Sequence, residues 1–156
     1  MLINNRWVRA SGSLQDKPIS IQFREDWQLA RDQGDYHLCV QIAWHAQSLD
    51  DSTGFPSAAE QVRIVSFTDQ LQARLEPDEG SFVMMMITHS GVNQWIIYTR
   101  DLDTLRAGLD SMPVEEGLYP IEVVADEDPQ WNTFIQVHSR IDPVSATEIS
   151  DAPSGV

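Results

Sequence analysis

The run Ser81–Thr88 (SFVMMMIT) is apolar at successive positions, so a strand made from it has no side to turn toward water and belongs inside a sheet. His89-Ser90-Gly91-Val92-Asn93 then supplies turn residues, and Gln94–Arg100 (QWIIYTR) returns as its hairpin partner. The rest of the chain must be arranged around that pair. Ile19, Ile21 and Phe23 alternate with Ser20, Gln22 and Arg24, the period of two that marks a half-buried strand. Gln33-Gly34-Asp35 predicts a turn, after which Tyr36, Leu38, Val40, Ile42 and Trp44 fall on alternate positions. These two strands are expected to pair antiparallel. Tyr119–Ala125 (YPIEVVA) reads as a fifth strand at a sheet edge, because Pro120 has no N–H to give to a ladder.

Helical spacing appears between these strands. Ser57-Ala58-Ala59-Glu60 has the pattern of a capping box, and Ile64, Phe67, Leu71 and Leu75 form one apolar stripe that Pro77 and Gly80 end. The loop His45–Pro56 before it is long for a compact domain, which marks it as mobile or functional. Asp101 or Asp103 caps a second helix through about Ser111, with Leu102, Leu105 and Leu109 on one face. Asp128-Pro129 opens a short third helix bearing Trp131, Phe134, Ile135, His138 and Ile141, although Trp131, Thr133, Ile135 and Val137 also fit a strand. Residues 1–17 read as an N-terminal arm with a short strand around Arg6–Arg9, residues 18–141 as a single α+β domain, and residues 142–156 as a disordered tail. The order β-β-α-β-β-α-β predicts an antiparallel sheet of about five strands with helices packed on one face, a ferredoxin-like sandwich variant.

A chain of 156 residues is expected to form one domain with a core that needs neither metal nor disulfide. The lone Cys39 excludes an internal bridge, and Met1–Ala10 lacks the apolar stretch of a secretory signal. No apolar run approaches the length of a membrane span, so a cytoplasmic protein is expected. Twenty-four acids face ten Lys plus Arg, a net charge of −14. Residues 1–78 carry 7 basic and 11 acidic side chains (−4) and residues 79–156 carry 3 and 13 (−10), so the second half dominates the field. Such a charge repels phosphate backbones, which argues against nucleic acid, and it either keeps the protein soluble or steers a basic partner.

Motifs for chemistry are missing. His37, His45, His89 and His138 stand singly, without metal-ligand spacing, and no cofactor is implied. No G-x-S-x-G frame or phosphate-binding glycine loop occurs, and Cys39 within an apolar strand reads as a small buried hydrophobe. The acid pairs Asp50-Asp51, Asp101-Leu102-Asp103, Glu115-Glu116 and Asp126-Glu127-Asp128 are too ordinary in an acidic chain to specify glycosidic chemistry. Trp27, Trp44, Trp95, Tyr98 and Phe134 read as core. Trp131, which follows Asp126-Glu127-Asp128, reads instead as a partly exposed indole that anchors an Arg- or Lys-bearing partner.

Glu25-Asp26-Trp27, Gly54-Phe55-Pro56-Ser57-Ala58-Ala59-Glu60, the hairpin Met84–Tyr98 with Thr99-Arg100-Asp101, and Asp128-Pro129-Gln130-Trp131 together resemble a bacterial domain of unknown function, family 695, over about residues 18–141. The resemblance implies a compact α+β domain and no catalytic residues. Phe134 departs from the tyrosine that relatives tend to carry there. The leading expectation is a small acidic non-catalytic protein that neutralises a basic protein, as an immunity protein neutralises a toxin. Its expected interface is Asp50, Asp51, Glu115, Glu116, Asp126, Glu127, Asp128 and Trp131. A regulatory or scaffold module acting on a host enzyme is the alternative, and a carboxylate-based hydrolase the third.

Overall fold

The computed structural model describes residues 6–14, 17–52, 54–77, 80–110, 121–139 and 147–149. Its strands are β1 (Trp7–Leu14), β2 (Lys17–Arg24), β3 (Leu38–His45), β4 (Ser81–His89), β5 (Val92–Thr99), β6 (Ile121–Glu127) and the three-residue β7 (Thr147–Ile149). Among the described residues four helices join them: α1 (Trp27–Gln33), α2 (Ala58–Leu75), α3 (Leu102–Asp110) and α4 (Asn132–His138). All pairings are antiparallel, in one open sheet of order β6-β3-β5-β4-β2-β1-β7. The α+β antiparallel class follows the sequence. Trp7–Leu14, read as an arm, is a full strand along β2, and Thr147–Ile149, read as part of a disordered tail, pairs with β1.

β4 and β5 sit at the centre, as their apolar runs require, but the turn between them is tighter than the sequence suggested. Ser90 (φ 47°) and Gly91 (φ 80°) are its two central residues, both left-handed, the backbone that matches the twist of a two-residue hairpin. The expected pairing of β2 with β3 does not occur. α1 intervenes and carries the chain across the sheet, so β2 joins β1 and β4 while β3 joins β5 and β6. Helix α1 was not visible in the sequence, since only Trp27 and Ala30 of its seven residues are buried.

Helices cover both faces rather than one. Trp95 and Ile97 pack with Ile64, Phe67 and Leu71 of α2 and Leu105 of α3. Ile96 and Tyr98, pointing the other way, pack with Trp27 and Ala30 of α1 and Phe134 of α4. A strand with no polar face is buried on both sides only in such a three-layer arrangement.

β2 is likewise buried throughout its second half, including Gln22 and Arg24, which the alternation placed toward solvent. Arg24 lies between the rings of Trp7 and Phe82, 4.9 and 5.5 Å from their centroids. β4 has a bulge between Val83 and Met85, and its ladder with β2 ends at Met85, so on that side the Val83 backbone is taken up by an ion pair. Arg24 Nε donates to Val83 O (2.8 Å), Val83 N donates to Glu76 Oε2 (3.0 Å), and Arg24 Nη2 reaches Glu76 Oε1 at 2.6 Å. Burial pushes the Glu76 carboxyl up from its ordinary range against the pull of Arg24.

Candidate functional site

One end of the sheet gathers exposed carboxylates from several elements. The register sets Glu127 beside Leu38, Leu38 beside Thr99, and Thr99 beside Ser81, so β6 and β5 leave where β3 and β4 enter. β2 leaves at the same end, because Phe23 pairs with Met85. The residues that follow or precede these strands are tied together. Arg100 N donates to Gly80 O (3.0 Å), Asp128 N to His37 O (2.7 Å), and Arg100 Nη2 to the Tyr36 hydroxyl (3.0 Å). Glu25, Asp35, Asp101, Asp103, Asp126 and Glu127 are exposed at this end, with Asp26 partly so.

Four arginines stand at or near this end, and two of them, Arg100 and Arg6, are exposed, Arg6 beside Glu25, whose N donates to Arg6 O at 3.0 Å. Arg24 is buried with Glu76, Arg31 pairs with Asp32 at 3.0 Å over the Trp27 ring, and Arg100 lies over Tyr36 at 5.1 Å. Asp101 also starts α3: its carboxylate accepts from the Thr104 hydroxyl (2.7 Å) and Asp103 N (3.1 Å), which hold it below its ordinary range. The set Glu25, Asp26, Asp35, Asp101 and Asp103 was missed as a site in the sequence. Its only signal is that each acid stands just outside a strand or at a helix start.

The residues expected to form the interface separate. Asp126 and Glu127 are exposed on β6, with side chains on opposite faces of the strand. Asp50 and Asp51 are exposed but follow the other end of β3, about 24 Å away for an eight-residue strand at about 3.4 Å per residue. There Asp50 is a turn former, accepting from Ser52 N at 2.8 Å, and the loop is closed by Asp50 N to Phe55 O (2.8 Å) and Ser57 N to Ser48 O (2.9 Å). Glu115 and Glu116 lie outside the described residues.

Trp131 and Asp128 are corrections. Trp131 is 1% exposed, stacked on Tyr98 with centroids 4.0 Å apart, and its Nε1 donates to Tyr36 O at 2.8 Å. It is a core residue held in a left-handed backbone (φ 60°), so it is no anchor for a partner. Buried Asp128 accepts from the Tyr98 hydroxyl (2.8 Å), Asn132 N (2.8 Å) and Thr133 N (3.0 Å), fastening α4 to the sheet. The helix opens at Asn132, beyond Pro129. Phe134 packs against Trp27, with centroids 4.8 Å apart. Burial pushes the neighbouring Cys39 thiol up to about 11 and the Tyr98 hydroxyl up as well, so both are protonated at neutral pH.

Architecture and surface define a three-layer antiparallel α+β domain with one group of exposed carboxylates at a sheet end. The chain belongs to the family of unknown function DUF695, whose model matches residues 5–137 and so takes in β1, ahead of the start near residue 18 that the sequence motifs suggested. No curated protein and no solved structure matches it.

Proposed function

We propose that the protein is a non-catalytic acidic binding module that docks a basic protein partner, in the manner of an immunity protein blocking a cationic toxin. The observation that carries this reading is the sheet end where the exposed acids Glu25, Asp35, Asp101, Asp103, Asp126 and Glu127 outnumber the exposed arginines Arg6 and Arg100, while Arg24 is buried with Glu76. Carboxylates so placed steer a cationic surface into encounter, and their effect falls on association rate and its salt dependence. The test is capture of a partner from the native cell by the tagged chain, followed by association kinetics at two ionic strengths. A basic partner whose association slows as salt rises supports the reading. A partner that is acidic or indifferent to salt refutes it.

A further inference from the structure

The outer edge of β6 is a long strand with one side unpaired among the described residues: it ladders with β3 along its whole length and stands at the end of the sheet. Natural sheet edges are blunted against unselective pairing by short strands, bulges, prolines or charged side chains, lysine above all, and the acids of β6 leave it open only to a cationic strand. The opposite edge fits that rule, being the three-residue β7. β6 runs for seven residues in unbroken register with no lysine or proline, and Val123 and Val124, on opposite faces, are 49% and 54% exposed. Its charged side chains are all acids. Glu122, Val124 and Asp126 share one face, so two carboxylates flank an exposed valine at a spacing of two residues.

We propose that β6 receives an extended segment of the basic partner as an added strand, with lysine or arginine opposite Glu122 and Asp126 and an apolar residue over Val124. This rests on the binding reading above and gives it a mode: backbone hydrogen bonds supply affinity and the acid-apolar-acid face supplies selection. A second copy of the chain fits the edge poorly. Antiparallel self-pairing with full overlap sets Glu122 against Asp126 twice, and parallel pairing sets each acid against itself, and like charges directly opposite destabilise a sheet.

The probe is a fluorescent peptide with lysine, valine and lysine at every second position and threonine between them (Lys-Thr-Val-Thr-Lys), titrated onto the full chain at low salt. Controls are the same peptide N-methylated at alternate residues, the same peptide with glutamate for lysine, and the chain with Glu122→Lys and Asp126→Lys, both exposed positions whose thermal midpoint is checked first. The expected results are binding of the lysine peptide, slowed amide exchange within residues 121–127, and a loss of about tenfold or more, equivalent to about 1.4 kcal/mol, on N-methylation or charge reversal. No binding, indifference to N-methylation, protection elsewhere in the chain, or a concentration-dependent dimer protected at 121–127 overturns the proposal. If those peptides fail while a cationic partner still associates in a salt-dependent way, this inference alone falls. If no salt-dependent partner is found either, the reading beneath it falls too.

Discussion

Arg24 and Glu76 form an exacting contact, because each satisfies both the other and the Val83 backbone beside the β4 bulge. Removing one member of a buried pair leaves a charge without its counterion, so Arg24→Ala is expected to cost about 3–5 kcal/mol, read from the midpoint of denaturant unfolding. Glu76→Gln leaves the Arg24 guanidinium, which cannot give up its charge, buried without its counterion and turns an amide N–H toward a donor, so a comparable cost is expected. Tyr98→Phe removes the hydroxyl that donates to Asp128 and accepts from Phe134 N; a loss of about 1–3 kcal/mol is expected from the buried groups left unmet. His138 sits among Phe23, Trp27 and Phe134, and burial holds it below its ordinary 6.5. The unfolded chain therefore takes up this proton first as pH falls. The stability His138 confers is complete above about 6.5 and fades as pH drops through its lower folded value. Thermal melts at pH 7 and 5 check this: His138→Gln should lose less stability on acidification than the parent, and an equal loss would rule the account out.

Among the elements, α4 depends on a single carboxylate, and Asp128→Ala removes the acceptor for Asn132 N and Thr133 N together with the Tyr98 tether. A cost of about 1–3 kcal/mol is expected, with amide exchange at Asn132 and Thr133 accelerated more than in β4 or β5. The strongly patterned elements were legible in the sequence: the central hairpin from its apolar run, α2 from its stripe, and the edge position of β6. The capping box at α2 is half realised. Ser57 accepts from Glu60 N at 3.3 Å, but the Glu60 carboxylate turns inward to accept from Trp44 Nε1 at 2.7 Å, a long-range contact no local motif announces. Helix α1 and the full length of β1 escaped because short segments with few apolar positions carry almost no periodic signal. The error over Trp131 has the same root. An indole after three acids looks exposed in one dimension, and only the left-handed backbone at that position turns it beneath β5.

For the molecule as a whole, Asp126 and Glu127 are exposed acids on an edge strand, whereas Asp101 at the same sheet end also starts α3. Asp126→Asn with Glu127→Gln is expected to leave unfolding free energy within about 0.5 kcal/mol while slowing association with a basic partner, a deficit that shrinks in high salt as screening shortens. Its site was only partly readable, since sequence proximity joined Asp126 to Asp128 but could not join Asp126 to Asp35 and Asp101, which the antiparallel register brings to one end. The sheet also partitions the aromatic chromophores. Trp27 and Trp131 lie in one layer and Trp7, Trp44 and Trp95 in the other, all of them out of water. Emission from single-indole versions of the protein can therefore watch the two layers separately. Because both rest on the same β4–β5 hairpin, their red shifts on heating should coincide, and the molecule should melt as one optical unit.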